Sequence, residues 1–95
     1  MSTVGVLALQ GDYEKHAHML RRVGAEVVYV REPDHLQHVD ALVIPGGERT
    51  TIGKLMKAYG LIEPIRERIR RRMPVFGTCA GHILLASETQ EKHQN

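Results

Sequence analysis

The sequence predicts an α/β fold built on a parallel sheet. Two observations carry this prediction. Short apolar runs alternate with segments of helical periodicity, and glycine or proline follows the runs. Strands that alternate with helices need crossover connections, which are right-handed and leave the strands parallel.

Taken in order, Val4 to Leu9 is a nearly continuous apolar run and predicts a strand buried on both faces. Gly11 breaks it, and Asp12 is placed to cap a helix from about Tyr13 to Val23, with Ala17, Leu20 and Val23 at helical spacing. Gly24 fits the helix stop. Glu26 to Val30 predicts a second strand, Glu32-Pro33-Asp34 a turn, and His35 to Val39 a short helical turn. Ala41 to Ile44 predicts a third strand, which Pro45-Gly46-Gly47 ends abruptly. Thr50 or Thr51 is expected to cap a helix running to about Tyr59 and stopped by Gly60. Glu63-Pro64 starts the next helix, which ends in Arg70-Arg71-Arg72. Pro74 to Gly77 predicts a fourth strand, and Ala80 to Ala86 the start of another helix. The segment Ser87 to Asn95 turns polar and is read as a tail, which leaves residues 1–86 as the folded part.

Composition narrows the function classes. The 95 residues suggest one domain, and 42% hydrophobic with 25% charged residues is ordinary for a globular protein. A formal net charge of +2 is too small to argue for a nucleic-acid or membrane partner. One cysteine excludes an intrachain disulfide and a Cys-rich zinc site. The start, Met1 to Gly5, lacks the basic and long apolar regions of a signal peptide, and no stretch approaches a membrane span, so the expected setting is cytoplasmic. His16 and His18, two apart on a helix, point to different faces. They are read with His35 and His38 as solvated side chains, and no metal site is expected. Arg66, Arg68 and Arg70 to Arg72 are read as a solvated helix face with a cation-rich carboxyl end.

Parallel sheets bind ligands beyond the carboxyl ends of their strands. Three loops begin there: Gln10-Gly11, Pro45 to Arg49, and Gly77 to Gly81. Gly77-Thr78-Cys79-Ala80-Gly81, between an expected strand and an expected helix, has the nucleophile-elbow pattern with Cys in place of Ser. The tight turn needs glycine on both sides. The thiol then lies at a helix N-terminus, where the dipole and free N–H groups favour thiolate, and the Ala80 N–H can face a developing oxyanion. A lone cysteine is more often buried and inert, but two flanking glycines arise by chance only about once in 200 cases at the usual glycine usage of about 7%. Pro45-Gly46-Gly47-Glu48 is a plain tight turn on its own. Beside an elbow at the same sheet edge, its N–H groups are candidates for the other half of an oxyanion hole or for a substrate carboxylate. Gln10-Gly11 draws its interest from position alone.

Three segments, in this order and spacing, resemble the glutaminase subunits of pyridoxal 5'-phosphate synthases, within the class I glutamine amidotransferase family: Val6-Leu7-Ala8-Leu9-Gln10-Gly11, Pro45-Gly46-Gly47-Glu48 followed by Thr50-Thr51, and Gly77-Thr78-Cys79-Ala80-Gly81. The similarity runs from about residue 3 to residue 86. It implies a three-layer, flavodoxin-like open parallel sheet, here the amino-terminal half ending after the elbow helix. It implies Cys79 as the nucleophile toward L-glutamine, Gln10, Gly11, Gly47 and Ala80 at the oxyanion loops, and Gly47, Glu48 and Arg49 at the substrate. It also implies a synthase subunit as partner, which receives ammonia to build pyridoxal 5'-phosphate. That compound is the product of the pathway, and no cofactor is expected here. Two departures stand out. Arg49 occupies a position where the family usually has Ser, and the His-Pro-Glu motif that carries the family's base and orienting acid is not among these residues. His82, three residues after Cys79, would run with the elbow helix and not across the cleft. The rival to a glutaminase is therefore a catalytically incomplete module that only binds.

Overall fold

The computed structural model describes residues 2–46 and 49–77, with side chains left aside at 49 and 50. Its elements are β1 (Thr3–Leu7), α1 (Tyr13–Arg22), β2 (Glu26–Val30), a 3₁₀ helix (Pro33–His38), β3 (Ala41–Val43), α2 (Arg49–Ala58), α3 (Ile62–Arg70) and β4 (Val75–Phe76). The helix expected from Ala80 lies outside the described residues.

The four strands form one sheet in the order β2-β1-β3-β4. All three pairings are parallel, with Leu7 beside Val30, Val6 beside Val43 and Val43 beside Phe76. This is a flavodoxin-like α/β fold. The chain steps one way from β1 to β2 and the other way from β3 to β4, so right-handed connections carry α1 and the pair α2–α3 to opposite faces. Strand alternation then divides the apolar residues. Leu7, Val30, Leu42 and Ile44 pack with Leu36, Ile52, Met56, Leu61 and Ile65 in the main core. Tyr29, one residue off that register, meets Tyr13 of α1 edge to face with ring centroids 5.8 Å apart. β1 is buried on both faces as its composition predicts, Val6 and Leu7 being almost fully enclosed.

Each of the three described α-helices ends in the same left-handed cap, in which two N–H groups bond back to the last carbonyls. After α1, Gly24 N–H reaches Arg21 O at 3.0 Å and Ala25 N–H reaches Leu20 O at 3.1 Å. After α2, Gly60 and Leu61 bond to Lys57 O and Met56 O at 3.1 and 2.8 Å. After α3, Arg72 and Met73 bond to Ile69 O and Arg68 O, both at 2.9 Å. Gly24 and Gly60 take positive φ freely, whereas Arg72 adopts φ 70° with a side chain.

Three expectations need correction. Asp12 sits at the start of α1, but its side chain makes no capping hydrogen bond, because its backbone (φ −85°, ψ 49°) departs from the extended N-cap conformation. Helix α2 begins at Arg49, so Thr50 and Thr51 lie inside its first turn and neither is the cap. The arginines of α3 are not one solvated face. Arg66 is buried, and Arg68 donates to Leu36 O and, at 2.6 Å, to Val39 O, joining α3 to both ends of the segment before β3. Leu36 O otherwise receives only a long bond of 3.5 Å from Val39 N–H among the described residues, and the guanidinium fork reaches both carbonyls. Arg70 and Arg71 do lie at the surface, paired with Glu67 at 3.1 and 3.4 Å.

Candidate active site

β1 and β3 are neighbours, yet their following helices lie on opposite faces, so a crevice opens beyond their carboxyl ends. The Gln10-Gly11 loop leaves β1 there. Gly11 has φ +90°, and a Cβ on it would stand 2.4 Å from Gly46 O, closer than any side chain tolerates. Glycine at 11 is therefore what lets the first loop rest on the third strand's exit. Ile44 and Pro45, both buried, carry the chain from β3 to Gly46, which is exposed.

The fourth strand closes the group. Ile44 N–H donates to Phe76 O at 2.8 Å, extending the β3–β4 ladder by one step. Gly77 follows with φ +137°, and a Cβ there would meet Ile44 O at 2.3 Å. Gly11 against Gly46 and Gly77 against Ile44 thus bring three strand exits into backbone contact at one sheet edge. Sequence position alone led to the expectation that these loops are adjacent. The tightness of the approach is what explains the glycines at 11 and 77.

Of the predicted site residues, Gln10 and Gly11 are described. Gly47, Glu48, Cys79 and Ala80 lie outside the described residues, as does His82, and Arg49 is placed by its backbone as the first residue of α2. Gln10 is half-buried, and its Oε1 is buried without a hydrogen-bond partner among the described residues. A buried amide oxygen left open beside a crevice suits a ligand or a neighbouring loop that supplies a donor.

His16, His18 and His38 are exposed. His35 instead accepts the N–H groups of Arg31 and Glu32 at its Nδ1, 3.1 and 3.3 Å away. Among the described residues no group of three His, Cys, Asp or Glu side chains is placed to hold a metal, and no helix is long and apolar enough to cross a membrane. Sequence reasoning missed Arg31, whose Nε donates to Ala8 O at 3.2 Å just before the Gln10-Gly11 loop. The only signal for it was an arginine immediately after a strand.

The comparisons with known proteins agree with this geometry. The model of the SNO glutamine amidotransferase family matches residues 6–95. The pyridoxal 5'-phosphate synthase subunit PdxT of Roseiflexus sp. (strain RS-1) is 68% identical over 84 residues, which cover 88% of this chain and 44% of that protein. The protein of the same name from Chloroflexus aurantiacus is 54% identical over 92 residues, covering 97% of this chain and 48% of its own length. A solved structure described as a glutamine amidotransferase superposes with a TM-score of 0.74 at 50% identity, covering 81% of this chain and 41% of that one. The chain spans about half the length of the curated relatives it matches.

Proposed function

Because the chain belongs to the SNO glutamine amidotransferase family, we propose that it carries the nucleophile half of a glutaminase that converts L-glutamine to glutamate and ammonia. Residues 1–86 form the amidotransferase part and 87–95 a polar tail. The Cys79 thiolate attacks the side-chain carboxamide carbon, and the oxyanion that forms is held by the N–H groups of Gly47 and Ala80. The Gln10-Gly11 loop completes that hole, and Gly47, Glu48 and Arg49 face the substrate, Arg49 through its backbone. The C–N bond then breaks as a proton reaches the nitrogen, ammonia leaves, and a thioester remains. Water adds to the thioester, releasing glutamate and restoring the thiolate. Ammonia passes to a synthase subunit that assembles pyridoxal 5'-phosphate, and the setting is the cytoplasm.

The observation that supports this reading most is the backbone contact of the three loops at one sheet edge, Gly11 on Gly46 and Gly77 on Ile44. Elbow chemistry needs two loops within reach of one oxygen, and the contact of the strand exits that lead into them supports that arrangement.

A second reading applies to the 95 residues by themselves. They contain no His-Pro-Glu run, so the base and the orienting acid implied by the resemblance are not among them. Removing one member of a nucleophile triad typically costs about 10⁴-fold or more. Alone, these residues act as a glutamine- and partner-binding module that reacts once and does not turn over.

Both readings meet in one experiment. Residues 1–86 are joined to the carboxyl-terminal half of the Roseiflexus relative, and ammonia release from glutamine is measured with the synthase subunit present. Turnover by the chimera that vanishes in Cys79→Ala, with none from residues 1–95, is the expected result. A chimera that is folded, binds the synthase subunit and releases no ammonia would overturn the glutaminase reading.

A further inference from the structure

A cluster beside the Gln10-Gly11 loop plays no part in the chemistry above. Arg31, the first residue after β2, donates Nε–H to the Ala8 carbonyl at 3.2 Å. Its guanidinium lies 5.9 Å from the centre of the Tyr29 ring, which Arg21 approaches to 5.6 Å. The same ring receives Tyr13 edge-on, with an interplanar angle of 81°. Ala8 immediately precedes the Leu9-to-Asp12 loop, and Tyr13 immediately follows it. The cluster therefore grips the loop at both ends. The turn that presents Arg31 is itself fixed, because His35 Nδ1 accepts the N–H groups of Arg31 and Glu32.

We propose that Arg31 is a positioning residue, which acts through Ala8 to hold Gln10 and Gly11 in register against Gly46. This inference rests on the glutaminase reading. A loop that carries a positive-φ glycine, and a buried amide oxygen with no partner among the described residues, keeps its shape only when its surroundings fix it. Backbone pairing fixes residue 8 on the β2 side, where Ala8 N–H meets Val30 O at 3.0 Å. Arg31 adds a second bond to that residue through its carbonyl. Loosening it lets the oxyanion-side loop drift by a fraction of an ångström, enough to weaken an oriented reaction without touching the nucleophile.

The test uses the 95-residue chain and two alkylating agents. A diazo-ketone analogue of L-glutamine reads the oriented site, and iodoacetamide reads the intrinsic reactivity of Cys79. Arg31→Met, which keeps the length of the side chain and removes the donor, is expected to slow the glutamine analogue roughly tenfold and to leave the iodoacetamide rate unchanged. Arg31→Lys, which restores a cationic donor, is expected to recover part of the loss. Should Arg31→Met lose its melting transition, Arg31→Gln gives the same comparison with a polar side chain suited to the surface. If the parent discriminates between the reagents and the donor-free variant matches it, the positioning role is overturned while the glutaminase reading stands. If both reagents slow equally, Arg31 is only structural and the proposal is again overturned. If the parent itself shows no preference for the glutamine analogue, the glutaminase reading fails and takes this inference with it.

Discussion

Gly11 and Gly24 form a matched pair, because their backbones are nearly alike, φ +90° and +92°, while their surroundings are opposite. Among the described residues, no atom beyond Gly24 and its chain neighbours lies within 4 Å of a Cβ built on Gly24, whereas one built on Gly11 stands 2.4 Å from Gly46 O and 3.5 Å from Pro45 Cβ. Alanine at either position costs about 1–2 kcal/mol for the left-handed backbone. Either change also stiffens the unfolded chain by a similar amount, which cancels in the comparison. At Gly11 the carbonyl of Gly46 must also move by nearly an ångström. It follows Ile44 and Pro45, which are buried and tied to β4 through the Ile44–Phe76 bond, so the shift counts as overpacking, at about 1–3 kcal/mol. A domain of this size loses roughly 4–8 °C in Tm per kcal/mol. Gly11→Ala is therefore expected to melt roughly 4–24 °C below Gly24→Ala when both are followed by circular dichroism under the same conditions. Equal melting temperatures would mean that the first loop does not rest on the third strand's exit, and the convergence of the loops would be refuted.

Arg68→Met removes the guanidinium donors to Leu36 O and Val39 O, of which Leu36 O keeps a long bond from Val39 N–H, and is expected to destabilise the chain by about 1–3 kcal/mol in urea unfolding, whereas Arg71→Ala, which breaks an exposed pair with Glu67, stays within about 0.5 kcal/mol. Equal effects would return α3 to the solvated-face reading. Arg72→Gly relieves a side chain held at φ 70° and is expected to stabilise by about 0.5–1 kcal/mol, measured the same way. A loss of stability would show that the Arg72 side chain makes contacts worth more than the strain.

The architecture was legible because its signals are local. Short apolar runs between helical stretches led to the four strands of the described residues, and Gly24 and Gly60 marked two helix ends that the structure caps as expected. The third cap was not legible. Arg72 takes the same left-handed conformation, but arginine carries no sequence signal for it. Arg66 and Arg68 were misread for a related reason. Arginine composition points to solvent, while the carbonyls that Arg68 meets lie 29 and 32 residues away in the chain. The Asp12 cap failed because residue type permits a cap that the local backbone then refuses. At the candidate site, the sequence led to the expectation of an elbow at Cys79 and an oxyanion loop at Gly47, both outside the described residues, and strand order sets Gln10-Gly11 beside the exits of β3 and β4 at Gly46 and Gly77. Arg31 was not readable, since its role depends on a carbonyl in a neighbouring strand's exit.

Whether the three strand exits build a glutamine site around Cys79 is tested most directly by peptide mapping by mass spectrometry, after treating the 95-residue chain with the diazo-ketone analogue of L-glutamine in the presence of L-glutamine or D-glutamine as competitor. A single adduct is expected, on Cys79, suppressed by L-glutamine and not by D-glutamine. An adduct spread over other side chains, or one on Cys79 that L-glutamine does not suppress, would contradict it.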